Sequence, residues 1–226
     1  MKLSKNQKKY FEVAIISIVA FISFIFWDSV IIYPIKLFVV LLHEISHGLA
    51  AIFSGGRVIS INIDLQLGGE TSIEGGNAFI IASSGYLGSL LWGSLLFISG
   101  YDYKFSLWNT TIISVLLLLF AANFISGSTG IVLSMIFIII MFVSPRYLPK
   151  IINSYLLKSL GLVSSLYSLI DIKEDILTSA PRQSDALILS QITGINPIVW
   201  GLIWISISAI IIFFLFRYSF NKGITN

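Results

Sequence analysis

The stretch PIKLFVVLLHEISHGLAAIF, Pro34–Phe53, reads as a membrane-spanning helix with ionisable residues inside it. At about 1.5 Å per residue it makes a helix of about 30 Å, the thickness of a bilayer's hydrocarbon core. Pro34 suits a first helical turn, and Gly55-Gly56 follow as a stop. His43, Glu44 and His47 then fall near mid-membrane depth. Ionisable side chains there are costly unless they face protein or water, so the default reading is a functional site. The competing reading is a pair of histidines that bond neighbouring helices, with Glu44 paired to Lys36 or Lys158. It leaves the spacing of the three residues unexplained.

Outward from this stretch the chain keeps the same character. Of its 226 residues 56% are hydrophobic and 11% charged, against about 25% charged in soluble proteins. Mean hydropathy is +0.93. These values exclude a soluble single domain, which needs more polar surface, and a disordered chain. Further apolar runs lie at Phe11–Trp27, Ala78–Ser99, Phe105–Ile125, Gly127–Val143, Ile151–Ile170 and Pro197–Phe216. The expected fold is an all-α multi-pass transmembrane bundle of six or seven spans, with residues 1–226 as one integral-membrane domain. Phe105–Ile125 and Gly127–Val143 are so close that they read as a tight helical hairpin or as one span plus a re-entrant piece. Lys2, Lys5, Lys8 and Lys9 precede the first run and predict a cytoplasmic amino terminus. That run reads as a spanning helix, not a cleavable signal, because no small-x-small pattern follows Trp27. An odd number of spans would put Arg217 and Lys222 opposite the amino terminus, against the charge rule; an even number would not.

Two segments break the pattern. Residues 57–74 alternate, with Ile59, Ile61, Ile63, Leu65 and Leu67 on one side and Gly68-Gly69 at a turn, which predicts a small β-hairpin after the second span. Residues 171–196 hold Asp171, Lys173, Glu174, Asp175, Arg182 and Asp185. So much charge belongs in water or at a membrane surface.

His43-Glu44-Ile45-Ser46-His47 carries the chemistry. On a helix the imidazoles at i and i+4 share a face and can hold one metal ion, while Glu44 beside them can take a proton from an activated water. They are the only two histidines, and cysteine is absent. Zinc, the expected cofactor, would therefore be held by nitrogen and oxygen alone.

An HExxH within a membrane span resembles the site-2 protease superfamily of intramembrane zinc metallopeptidases, and within it the M50B-like branch. Gly48 and Ala50-Ala51 follow the motif as small residues do there, and the hairpin stands where those enzymes carry a membrane-associated β element. Gly75-Gly76 and then Ile80-Ile81-Ala82-Ser83-Ser84-Gly85-Tyr86-Leu87-Gly88-Ser89 are similar to the superfamily's glycine-containing third helix. The resemblance implies zinc on His43 and His47, Glu44 as general base, and a membrane-protein substrate. It departs at the third ligand. The superfamily's Asn-Pro-x-Pro-x-Leu-Asp-Gly is met here only by Asn123-Phe124-Ile125-Ser126-Gly127-Ser128-Thr129-Gly130, without aspartate or proline. Asn123 either keeps that motif's polar, substrate-binding role or is a helix-packing amide.

A catalytic zinc site takes three protein ligands and one open position, so a carboxylate has to reach the histidines. Ser154, Lys158, Gly161, Ser165 and Ser168 form one helical stripe, which is expected to face the helix of His43 and His47. Asp171 and Asp175 continue it. Asp171, nearer the apolar run, is the favoured third ligand, ahead of Asp175 and Asp185; Asp64 and Glu70 on the hairpin are further alternatives, and a solvated acidic helix end is the plain reading. No nucleophile elbow or phosphate-binding loop is present, so serine or cysteine catalysis and nucleotides are not expected; the small positive charge, gathered at the amino terminus, fits membrane orientation and not a nucleic-acid partner. The reading is a zinc-dependent intramembrane endopeptidase surrounded by membrane lipids. The alternative is a non-proteolytic membrane protein, either a metal-binding scaffold or a transporter, since broken spans also occur in transporters.

Overall fold

The computed structural model describes residues 4–27, 29–65, 68–177 and 184–224, without the side chains of Ser168, Ile170, Asp171 and residues 173–177. Within it the Pro34–Phe53 run forms helix α2, Tyr33–Phe53, with Pro34 in the first turn. Left-handed Gly55 (φ 85°) follows its end. Residues Leu37 to Leu42 and Ile45 are all buried, as a helix apolar on every side must be when it lies inside a bundle.

Five described helices are long and apolar enough to cross a bilayer: α2, α3 (Ala78–Ser99), α4 (Tyr103–Asn123), α5 (Ser128–Tyr147) and α8 (Pro197–Lys222). Exposed Trp108, Ile112, Leu119, Ile139, Ile210 and Phe213 cover the outer faces of α4, α5 and α8, a surface suited to lipid. Helices α1 (Lys5–Ile25) and α6 (Lys150–Leu177) stand outside this set. Lys5, Lys8, Lys9 and Glu12 make α1 too charged, and the serines and Lys158 make α6 too polar. Six or seven spans are thus not reached among the described residues.

The stripe on α6 faces α3, not α2 as its spacing suggested. Ser154 Oγ donates to the Gly100 carbonyl at 2.5 Å. A Cβ on Gly161 would run into the Phe97 backbone nitrogen, and one on Gly93 would lie 2.6 Å from Ser165 Oγ. The reason is steric. Gly93 and Gly100 let the two backbones approach, whereas α2 presents Leu and Val. Lys158 leaves the stripe for α1, with Nζ 2.7 Å from Glu12 Oε1.

Strands β1 (Arg57–Ile63) and β2 (Gly69–Glu74) form the expected hairpin, and β3 (Ile125–Ser126) completes a sheet in the order β2-β1-β3. The pairing of β1 with β3 is parallel, Ile61 opposite Ile125. That strand and Gly127 (φ 81°) separate α4 from α5, so the expected break is a helical hairpin with a strand in its turn. A register shift between Val58 and Ser60 changes the alternation. Val58, Ile61 and Ile63 are buried while Ile59 is exposed, because a bulge residue moves its neighbours to the opposite face; exposed Leu65 lies beyond the end of β1, and Leu67 is outside the described residues.

The charged 171–196 segment is not uniformly wet. α6 runs on to Leu177, and α7 (Asp185–Thr193), capped by Ser184, buries Ala186 and Leu189 in a cluster with Ala82, Tyr86 and Trp204.

Candidate metal centre

Helix periodicity puts His43 and His47 on one face of α2, their rings 4.8 Å apart between centroids. α3 crosses this face at Gly85, where a Cβ would run into His43 Nε2 and lie 2.6 Å from His47 Nε2. Only glycine leaves this space open. His47 Nδ1 lies 2.8 Å from the Ile81 carbonyl. A carbonyl only accepts, so Nδ1 carries the proton and Nε2 turns its lone pair to the centre. Ser84 is 3.3 Å from the same nitrogen and gives its own hydroxyl proton to Ile81. His43 packs edge-on against Tyr86.

Among the described residues, the third candidate donor comes from α7. Asp185 Oδ2 lies 3.3 Å from His43 Nε2 and 3.4 Å from His47 Nε2, and one ligand atom from each residue falls within 4.8 Å of the others. Oδ2 is buried without a hydrogen-bond donor among the described residues. Burial alone would push this carboxyl up, but the facing imidazoles, His47 first, hold it below the ordinary carboxylate range. That depression belongs to imidazoles that carry a proton on Nε2; a bound metal ion would displace those protons, since ligation needs both Nε2 and the carboxylate deprotonated. Two imidazole nitrogens and a carboxylate oxygen converging on a cleared space fit a divalent cation of zinc's preferences, with one coordination position left over.

Glu44 sits one residue along α2, buried, and does not join the cluster. Thr71 Oγ1 of β2 donates to its Oε2 at 2.7 Å and approaches its backbone carbonyl at 3.1 Å. Among the described residues neither Lys36 nor Lys158 pairs with Glu44: Lys36 lies over the Trp27 ring and Lys158 holds Glu12. Val40, His43, Glu44, His47, Gly69 and Asp185 are among the residues lining an open cavity of about 800 Å³ bordered by α2, the β1–β2 hairpin, α3, α6 and α7.

The other carboxylates divide. Asp64 and Glu70 line the cavity, but neither is in the donor cluster, and Asp64 Oδ1 accepts from the Gly68 N–H at 2.9 Å. The side chains of Asp171 and Asp175 lie outside the described residues, although their backbone continues α6. Asn123 ends α4, exposed, and its amide donates to the Leu119 carbonyl; it does not line the cavity. Thr71 and Tyr86 were not singled out by sequence reasoning. Only the hairpin register and the α3 crossing bring them in.

The family model described as Peptidase M50B-like matches residues 15–215. No curated protein and no solved structure gives a significant match. With His43, His47 and Asp185 converging inside a bundle of apolar helices, the chain belongs to the Peptidase M50B-like family, a group of membrane metallopeptidases.

Proposed function

We propose that this chain is a zinc-dependent intramembrane endopeptidase. The observation that carries the proposal is the convergence of His43 Nε2, His47 Nε2 and Asp185 Oδ2 beside a separate buried carboxylate, Glu44, on one cavity wall. His43, His47 and Asp185 would hold the ion. When bound, it supplies Lewis acidity, which polarises a peptide carbonyl and acidifies water. Glu44 is the general base: its carboxylate takes the proton of the attacking water and returns it to the leaving amine.

A transmembrane helix has to unwind before its amide can be attacked, since its backbone groups are otherwise bonded to one another. One edge of β1 is taken by β2 and the other by β3, which leaves the outer edges of β2 and of the two-residue β3, and β2 is the longer of the two. Gly69, Glu70 and Thr71 of that strand line the cavity, and an extended substrate segment can add to such an edge through main-chain hydrogen bonds. The positive-inside pattern of Lys5, Lys8 and Lys9 supports a cytoplasmic amino terminus.

The test is zinc analysis together with cleavage of a single-span reporter polypeptide in lipid vesicles. Wild type is expected to hold one zinc per chain and to cleave. Glu44→Gln should keep the zinc and lose about 10²- to 10⁴-fold in turnover. Asp185→Ala should lower zinc occupancy, and Asp171→Ala should not. Near wild-type turnover in zinc-loaded Glu44→Gln would overturn the proposal.

A further inference from the structure

Glu44 is held from outside its own helix. Gly69 and Thr71 lie two apart on β2 and so share one face of the strand. Both meet the Glu44 side chain. A Cβ on Gly69 would run into Oε1 and lie 2.6 Å from Cγ and 2.7 Å from Cδ, so the strand backbone rests directly on the carboxylate. The φ of Gly69 is not in the left-handed region; glycine is needed there for space. Thr71 supplies the donor. Its single hydroxyl proton faces Glu44 Oε2 at 2.7 Å and the Glu44 carbonyl at 3.1 Å, which ties the side chain to its own backbone and restricts its rotamers. No other hydrogen bond to this carboxylate is found among the described residues.

We propose that Thr71, with the room left by Gly69, is the positioning residue that aims the Glu44 carboxylate at the reacting water. This rests on Glu44 being the base. Among the described residues Thr71 makes its side-chain hydrogen bonds to Glu44 and not to His43, His47 or Asp185; it acts through Glu44. Because Thr71 belongs to β2, whose Gly69, Glu70 and Thr71 line the cavity, the aim of the base depends on the strand proposed to receive substrate. A base must stand within hydrogen-bond reach of the proton it takes, and a small misplacement lowers turnover steeply.

Thr71→Val keeps the shape and the branched β-carbon and removes the donor; Thr71→Ser keeps the donor. With the vesicle reporter, Thr71→Val is expected to lower kcat about 10- to 100-fold, with KM and zinc per chain unchanged, and Thr71→Ser to restore kcat to within a few-fold of wild type. Infrared difference spectra against Glu44→Gln give a readout without turnover: the Glu44 carboxylate band should shift in Thr71→Val and not in Thr71→Ser. Wild-type kcat in Thr71→Val, or equal losses in the Val and Ser variants, overturns the positioning role while leaving Glu44 as base. Undiminished turnover in zinc-loaded Glu44→Gln overturns both.

Discussion

At Gly85 helix propensity and function oppose each other. Alanine is favoured over glycine within a helix by about 1 kcal/mol, yet its Cβ would occupy the space into which His43 and His47 turn. Gly85→Ala is therefore expected to fold and to bind zinc about 10- to 100-fold more weakly, the range seen when the surroundings of metal ligands are disturbed. Competition against a chromophoric chelator measures this. His43, Glu44 and His47 were legible in the sequence because their geometry is local: one helical turn fixes it. Asp185 was only one alternative. Stripe periodicity ranked Asp171 above it; the side chain of Asp171 lies outside the described residues, and among the described carboxylates the one that reaches the imidazoles is on α7. A faint signal existed. Ser184 heads a short segment whose Ala186 and Leu189 fall on one face, so Asp185 begins an apolar helix and is not part of a solvated run.

Among the elements, the α3·α6 crossing rests on glycines opposed in space. Gly161 packs against the backbone at Phe97 and Gly93, where no flexible side chain can give way. Gly161→Ala should lower stability by about 1–3 kcal/mol, the usual cost of overpacking. Thermal unfolding in detergent should show it, and zinc stoichiometry should stay at one. The long helices were readable because apolar length is itself the signal. The partner of the stripe was not, because a row of small residues says that something approaches closely and not which helix does so. β3 was invisible for another reason: two residues show no period, and their partner on β1 is remote in sequence. The bulge at Ile59 likewise appears only once β2 supplies a register.

For the molecule as a whole, the Glu12–Lys158 pair joins α1 to α6 with both side chains fully buried. Tyr101 donates to Glu12 Oε1 at 2.9 Å, Tyr155 to Oε2 at 2.8 Å, and Tyr101 also reaches Ser219 of α8. Breaking such a pair from one side leaves an uncompensated charge, so Glu12→Gln should cost about 3–5 kcal/mol. Glu12→Leu combined with Lys158→Met should cost less than the sum of the two single changes in a double-mutant cycle, with part of the loss remaining because Tyr155 no longer has its acceptor. The donor set acts on the same scale. His47 and Asp185 are separated by α3, α4, α5 and α6 along the chain, and the protein has no cysteine with which to close that loop covalently. A shared ion would serve as its cross-link, reversible and set by supply. Above saturation the unfolding free energy should rise by about 1.4 kcal/mol for each tenfold increase in free zinc, read from melting curves in metal buffers, so that metal starvation would loosen the fold as well as silence the chemistry.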